Sequence, residues 1–249
     1  MFNLISSCNF SYPKEPHRIN EDSILTPKKI GNGYLFAVAD GVGSYKGADK
    51  ASKLVINFID NLLENNFEDI DFIFYQLKTN ISKLSDNIEL SQAATTLTFA
   101  YLNKTGLSIG HIGDCRVYVR DGKKLKLLTK DHTQHQKLLD EKIYTKKELK
   151  KMEGKNILTT AISKYIEMTF DNIFVPLSKL PIENGKIALF IMSDGAYSFW
   201  DTSPRFSEKT MSNIIKFSNS LLRRIEKKSP IDDYSLVSAE FSLSIAKTV

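Results

Sequence analysis

The stretch from Ala94 to Leu128 does most to limit the architectures open to this chain. It holds four short runs rich in Thr, Val, Ile and Tyr: Ala94–Leu102, Thr105–Ile112, Cys115–Arg120 and Lys124–Leu128. Asn103-Lys104-Thr105-Gly106, Gly113-Asp114 and Asp121-Gly122 separate them. β-Branched and aromatic side chains suit a pleated surface, while Asn, Asp and Gly accept the backbone angles of tight turns. The pattern predicts an antiparallel meander. The alternating strand–helix rhythm of a doubly wound nucleotide-binding fold is missing.

The flanking segments fit the same class. Tyr34–Ala39 is a short apolar run stopped by Asp40-Gly41, which reads as a buried strand entering a turn. Leu54, Val55, Phe58, Ile59, Leu62 and Leu63 recur at helical spacing within 47–64. Ile70, Ile73, Phe74, Leu77, Ile81 and Leu84 do so within 68–90. Residues 3–10, Met168–Val175, Lys186–Met192 and Tyr234–Ile245 read as strands, 134–153 as a lysine-rich helical region, and 207–227 as a third long helix. Strands at both ends, paired helices and central hairpins describe an α+β fold with antiparallel sheets.

Composition excludes several classes. With 42% hydrophobic and 25% charged residues in 249, there is ample material for a core, and disorder is excluded. Two cysteines, Cys8 and Cys115, make neither a disulfide scaffold nor a Cys-x-x-Cys zinc pattern. No uncharged apolar run reaches the ~18 residues of a membrane span, and Met1–Ser11 lacks the plan of a signal peptide, so the cytoplasm is the expected compartment. The net charge of +5 permits an acidic partner. The lysines are not interleaved with aromatics in one patch, so no nucleic acid is expected.

The acids carry the chemistry. Glu21 and Asp22 precede a strand, Asp40 ends one, Asp114 lies between two, Asp194 ends another, and Asp232 and Asp233 precede the last. Singly, each reads as a turn or loop residue, as Asp121-Gly122 does. Jointly, they place carboxylates at the edges of buried strands, which is costly unless they are paired or bound to metal. No matching set of Arg and Lys accompanies them. Hard divalent cations such as Mg²⁺ and Mn²⁺ prefer carboxylate, carbonyl and water oxygens, and a Gly after Asp lets the backbone approach an ion.

Read in order, these segments resemble the metal-dependent protein serine/threonine phosphatases (PPM, or type 2C), in particular the bacterial branch. The resemblance rests on Asn20-Glu21-Asp22-Ser23, Val38-Ala39-Asp40-Gly41-Val42-Gly43-Ser44, Gly47-Ala48-x-x-Ala51-Ser52, Ala94-Thr95-Thr96-Leu97 and Gly113-Asp114-Cys115-Arg116. It continues through Leu128-Thr129-x-Asp131-His132, Asn156-x-Leu158-Thr159-x-Ala161, Ser193-Asp194-Gly195 and Asp232-Asp233-Tyr234-Ser235. It implies one domain over residues 1–249, a four-layer αββα sandwich with a flap at about 133–160. It also implies two Mn²⁺ or Mg²⁺ ions. Asp40 would bridge both, the Gly41 carbonyl, Asp194 and Asp232 would serve the first, Glu21 and Asp22 the second, and Asp114 a weaker third site.

The implied reaction is attack of a metal-activated water on phosphoserine or phosphothreonine, without a phosphoenzyme. Asp40, Asp194 and Asp232 are then the catalytic carboxylates. Arg18 is the candidate phosphate grip, one residue beyond the family's arginine position, which His17 holds. Val42 stands where animal members of the family carry His and bacterial members commonly an apolar residue, while Cys115 and Asp233 depart from the family's usual Ser and Asn. The added charge of Asp233 beside Asp232 bears on metal affinity or on a carboxyl pKa. His111, His132 and His135 read as structural. Lys137–Lys155, with seven lysines and four acids, would give the flap a basic face for phosphoprotein. The expected partner is a cytoplasmic Ser/Thr kinase or its targets, with no membrane, and the chain is expected to be a monomer. The alternative is a catalytically weak or dead relative that binds a phosphoprotein or metabolite as a regulator.

Overall fold

The computed structural model describes residues 1–43, 45–149, 151–154 and 156–243. Ser44, Lys150, Lys155, Ser244 and Ile245 of the segments above lie outside them. The chain begins with β1 (Phe2–Tyr12), β2 (Ser23–Ile30), β3 (Gly33–Ala39), α1 (Ala48–Asp60) and α2 (Ile70–Leu84). The middle holds β4 (Ala94–Thr95), β5 (Leu97–Leu102), β6 (Gly106–Ile112), β7 (Arg116–Asp121), β8 (Lys124–Leu127), α3 (Gln134–Asp140) and α4 (Lys146–Leu149). The remainder is β9 (Ile162–Ser163), β10 (Asp171–Pro176), β11 (Lys186–Met192), α5 (Asp194–Asp201), α6 (Glu208–Met211), α7 (Ile214–Lys228) and β12 (Tyr234–Leu243).

Two antiparallel sheets are stacked, one in the order β1-β12-β11-β7-β8 and the other β10-β6-β5-β3-β2. Successive side chains of a strand point to opposite faces, and here both faces are buried. On β3, Phe36 and Val38 enter the core between the sheets, where they join Val119, Leu189, Val237 and Phe241. Leu35 and Ala37 face the other way, into a core with Val55, Ile59, Ile73 and Leu77 of α1 and α2. On β11, Leu189 and Ile191 face inward, while Ala188 and Phe190 meet Ala196, Trp200, Phe217 and Leu221 of α5 and α7. This makes the expected αββα sandwich, and it explains why the central strands read as unbroken apolar runs. Among the described residues, no helix is long and apolar enough to cross a membrane.

Four expectations change. The four central runs do not form one meander. β5 and β6 form a hairpin in one sheet, β7 and β8 in the other, and Gly113, at φ +107°, carries the chain across. The expected helix over 207–227 is broken into α6 and α7 because the Asn213 side chain caps a new helix, accepting from the Lys216 N–H at 2.9 Å. The lysine-rich region holds two short helices, α3 and α4, instead of a continuous one. The helix over 68–90 is shorter than its apolar pattern. Asp69 caps α2, accepting from Phe72 N–H at 2.9 Å, and the helix ends at Leu84.

Candidate metal centre

Strand register brings the acids to one end of the sandwich. Ser23 pairs with Ala39, which sets Asp22 beside Asp40. Leu97 pairs with Ile112, so the start of β5 and the end of β6 lie at that same end, followed by Asp114. In the facing sheet, Met192 pairs with both Arg116 and Leu236, which aligns the ends carrying Asp114, Asp194 and Asp232.

A cavity of about 100 Å³ results, lined by Asp40, Asp114, Asp194 and Asp232 together with Val42, Thr96, Asn156 and Leu158. None of these lining residues is a cation. Asp22 is buried behind them. Its Oδ2 accepts a hydrogen bond from Ser193 Oγ at 2.8 Å, while its Oδ1 is buried without a partner. Burial pushes the Asp22 carboxyl up to about 7, although the neighbouring Ser235 and Ser193 hydroxyls act the other way. Burial, and then the charges of Asp22, Asp194, Asp114 and Asp232, raise Asp40 well above the carboxylate range. Asp114 is raised mainly by burial and then by Asp194. Burial and Asp233 raise Glu21. An orphaned carboxylate oxygen and an uncompensated cluster of acids are what a hard divalent cation would satisfy, so these residues fit one.

The backbone around the cavity is held independently of its carboxylates. Asp40 N–H donates to Thr96 Oγ1 at 3.0 Å, and its carbonyl accepts from Thr96 N–H at 2.8 Å and Thr95 Oγ1 at 2.9 Å. Gly41 N–H donates to the Glu21 carbonyl at 3.2 Å, which ties the two acidic segments together. A Cβ on Gly41 would meet the Ala48 carbonyl oxygen at 2.7 Å, and one on Gly195 would overlap the Asp233 carbonyl. Both glycines are therefore required by close backbone packing. Asp194 sits in the first turn of α5, where the helix dipole favours a carboxylate, and Asn156 Nδ2 donates to its Oδ2 at 2.9 Å.

Some expected site residues lie outside the cavity lining. Glu21 is half-buried, and its Oε2 lies near Gly43. Arg18 is exposed on the loop before Glu21, close enough for its charge to lower the Glu21 carboxyl pKa. His17 pairs with Glu15 at 3.2 Å on the surface. Cys115 is fully buried against Thr96. Asp121-Gly122 is the β7–β8 hairpin turn. Among the described residues, His111, His132 and Asp171 cluster closely enough to share a metal ion, but their hydrogen bonds use the ring nitrogens. His111 Nε2 donates to the Lys130 carbonyl and Nδ1 accepts from Thr98, while His132 Nδ1 accepts from Gly113 N–H and Nε2 donates to Asp171. Burial, then His132, lowers the His111 pKa to about 3.

Asp233 shows what its sequence position alone does not. Its Oδ1 accepts from Lys14 N–H and its Oδ2 from Glu21 N–H, each at 2.7 Å. Both carboxylate oxygens are thus committed to the loop that leads into the first acidic segment. Asn offers one acceptor oxygen and would turn an NH₂ toward the other N–H. Asp233→Asn is expected to cost about 1–3 kcal/mol. Faster hydrogen exchange at the Lys14 or Glu21 amide, with a lower melting temperature, would be the signature. Unchanged exchange at both would refute the clamp.

Comparison with known proteins adds the family. The family model for Protein phosphatase 2C matches residues 17–230. The "Serine/threonine phosphatase stp" of Listeria welshimeri is 24% identical over 217 residues, covering 83% of this chain and 81% of that protein. In fold, the chain resembles the serine/threonine phosphatase Stp1 of Staphylococcus aureus, with a TM-score of 0.81 at 19% identity over 98% of this chain and 96% of that one. It also resembles the catalytic domain of the serine threonine protein phosphatase PstP solved in complex with two manganese ions, with a TM-score of 0.69 at 20% identity over 97% of this chain and 100% of that one. Because the family match takes in the segments bearing Glu21, Asp22, Asp40, Asp114 and Asp194, and runs most of the length of the sandwich, the chain belongs to the protein phosphatase 2C family.

Proposed function

We propose that this chain hydrolyses phosphoserine and phosphothreonine in phosphoproteins and that it depends on Mn²⁺ or Mg²⁺. The observation that carries this reading is the convergence of Asp40, Asp114, Asp194 and Asp232 on one cavity without a cation, backed by the orphaned Asp22 oxygen. Family membership and the named activity of the relatives support it. Asp40, the Gly41 carbonyl, Asp194 and Asp232 would hold one ion. Asp40, Glu21 and Asp22 would hold the second, and Asp114 a third. When bound, such ions acidify a water and offset charge on the phosphoryl oxygens.

The protein's own part is to position the carboxylates. Thr95 and Thr96 hold the backbone of Asp40, and Ser193 orients Asp22. Asn156 and the start of α5 orient Asp194. Arg18 would grip the substrate phosphate from the exposed loop. Cys115 presents no thiol to the cavity, which agrees with direct attack by water. We assign residues 1–249 to one domain, with a flap at about 133–160. Asn156 and Leu158 at the end of the flap line the cavity. The proposed phosphoprotein substrate is a cytoplasmic Ser/Thr kinase or its targets, and the chain is proposed to act as a monomer.

The test is hydrolysis of an aryl phosphate, a phosphothreonine peptide and a phosphoserine peptide, with and without Mn²⁺ or Mg²⁺. Metal-dependent turnover of the peptides is expected. Calorimetry that detects metal binding without turnover would favour the alternative, a phosphoprotein- or metabolite-binding regulator.

A further inference from the structure

A second cavity, of about 450 Å³, opens at the far end of the sheet that contains β5. Thr96 lines the acidic cavity, and Tyr101 and Asn103 line this one. Seven residues of extended chain separate Thr96 from Asn103, so the two cavities are ~20 Å apart. The volume lies within the ~300–1,000 Å³ of ordinary ligand sites.

Its walls have a distinct chemistry. The Phe67 and Tyr101 rings are stacked, with centroids 4.3 Å apart and planes at 12°. Glu64 stands beside them, held by Asn32 N–H at 3.1 Å and the Tyr101 hydroxyl at 3.3 Å. Glu68 is exposed at the rim. The ion pairs of the described residues include neither Glu64 nor Glu68. Phe174, on the edge strand β10, is 53% exposed and closes one side. The segment 64–71 contains Glu64, Glu68, Asp69 and Asp71 but no Lys or Arg, in a chain of net charge +5. Asp69 is a helix cap and Asp71 accepts from Asn172, which leaves Glu68 and the second carboxylate oxygen of Glu64 for a ligand. Lys104, in the neighbouring turn, offsets only part of this charge.

Two carboxylates exclude a phosphate or other anion. Aromatic walls do not suit Mg²⁺ or Ca²⁺, which take oxygen ligands only. A flat cation answers both features: a guanidinium packs against apolar and aromatic surface and forks onto carboxylates, and an ammonium does neither as well. The half-exposed Phe174 and the spare volume call for apolar groups next to that cation, which a peptide supplies and free arginine does not. We propose that this cavity docks an arginine side chain of an extended segment of a protein partner. The guanidinium lies between Glu64 and Glu68, against the edge that the buried Phe67–Tyr101 pair presents to the cavity, and a flanking apolar residue lies on Phe174. Docking here leaves the carboxylate cavity open, so the surface recruits partners without blocking it. The inference stands apart from the proposed catalysis, because binding alone tests it.

The experiment is fluorescence anisotropy with a labelled peptide library in which one arginine is flanked by varied apolar residues. Citrulline and lysine versions of the best binder, and free arginine amide, complete the set. Saturable binding is expected, ~10-fold weaker with the uncharged, planar citrulline and weakened by salt. Glu68→Gln and Phe174→Ala alter exposed or half-exposed positions, so both variants are expected to fold with unchanged melting temperature. Each is expected to weaken binding ~5-fold or more and leave aryl phosphate turnover unchanged. The docking site is overturned if no library member binds below millimolar concentration, or if citrulline binds as well as arginine. Full binding by the Glu68→Gln/Phe174→Ala double variant would also overturn it. Arginine amide binding as tightly as the peptide would make the cavity a small-molecule site. Concentration-dependent dimerisation lost in the same variants would make it a self-association surface. Either result also overturns partner docking.

Discussion

Asp40→Asn lowers metal-dependent turnover ~10³-fold or more, equivalent to about 4 kcal/mol of lost transition-state stabilisation, and it stabilises the metal-free protein. Both effects have the same origin. Asn is isosteric with Asp, and the backbone at residue 40 is held by Thr95 and Thr96 through bonds that do not involve the side chain. The fold is therefore retained. The carboxylate itself lines the cavity with Asp114, Asp194 and Asp232, where burial and these neighbours disfavour its charge. Removing the charge relieves repulsion in the metal-free state and removes the central ligand of the proposed ion pair. The melting temperature of the metal-free variant rises by about 2–4 °C for each 1 kcal/mol gained. Steady-state kinetics with Mn²⁺ and thermal unfolding in chelator check the two halves. Retained turnover would remove Asp40 from the metal centre. Lost turnover with a lower melting temperature would make the residue structural.

Metal-free protein loses stability as pH rises, and divalent cation reverses this. Folding displaces Asp22 from 3.8 to about 7, and Asp40 and Asp114 move in the same direction. As pH rises above the unfolded value of about 4, the unfolded chain releases these protons while the folded one keeps them. The folded state then binds more protons, so its stability falls with pH across this window. For Asp22 alone the effect is on the order of 4 kcal/mol. His111 opposes it. Its folded pKa drops from 6.5 to about 3, so its stabilisation is present above about 6.5 and is lost as pH falls toward 3. Three carboxylates outweigh one histidine, and above about pH 6.5 the opposition from His111 fades as the unfolded imidazole gives up its proton. The midpoint of thermal unfolding in chelator is therefore expected to fall from pH 6.5 to pH 8. Ion at 100 times its Kd adds about 2.7 kcal/mol. The rise in midpoint is larger at pH 8, because protons no longer compete for the carboxylates. A midpoint that rises with pH in chelator, or a metal-induced shift larger at pH 6.5, would contradict the cluster as described.

Much of this architecture was legible because it is local. Tyr34–Ala39 could be read as a buried strand because both of its faces are apolar, and α1 and α2 because their apolar positions recur every three or four residues. The break between α6 and α7 depends on one capping side chain, Asn213, within an otherwise helical pattern. Helix α5 is only eight residues long and follows directly on β11, so its period had no room to show. The four central runs carry the composition of strands. Their division between two sheets was not visible, because hairpin signals specify which neighbours pair and not which sheet a pair joins.

The sequence by itself determined the strand edges at which acids stand, the glycines that follow Asp40 and Asp194, the paired helices and the family. Those features are carried by adjacent residues. Only the tertiary structure decided which acids share a cavity, since that depends on the register of strands distant in the chain. Only it showed that Asp233 reaches amides 219 and 212 positions away, that Asn156 meets Asp194 across 38, and that Arg18 lies on an exposed loop. The stacked Phe67–Tyr101 pair with its two glutamates likewise exists only once the chain has folded. Hydrogen bonds and charge fields act through space, so a partner far away in sequence leaves no local pattern to read.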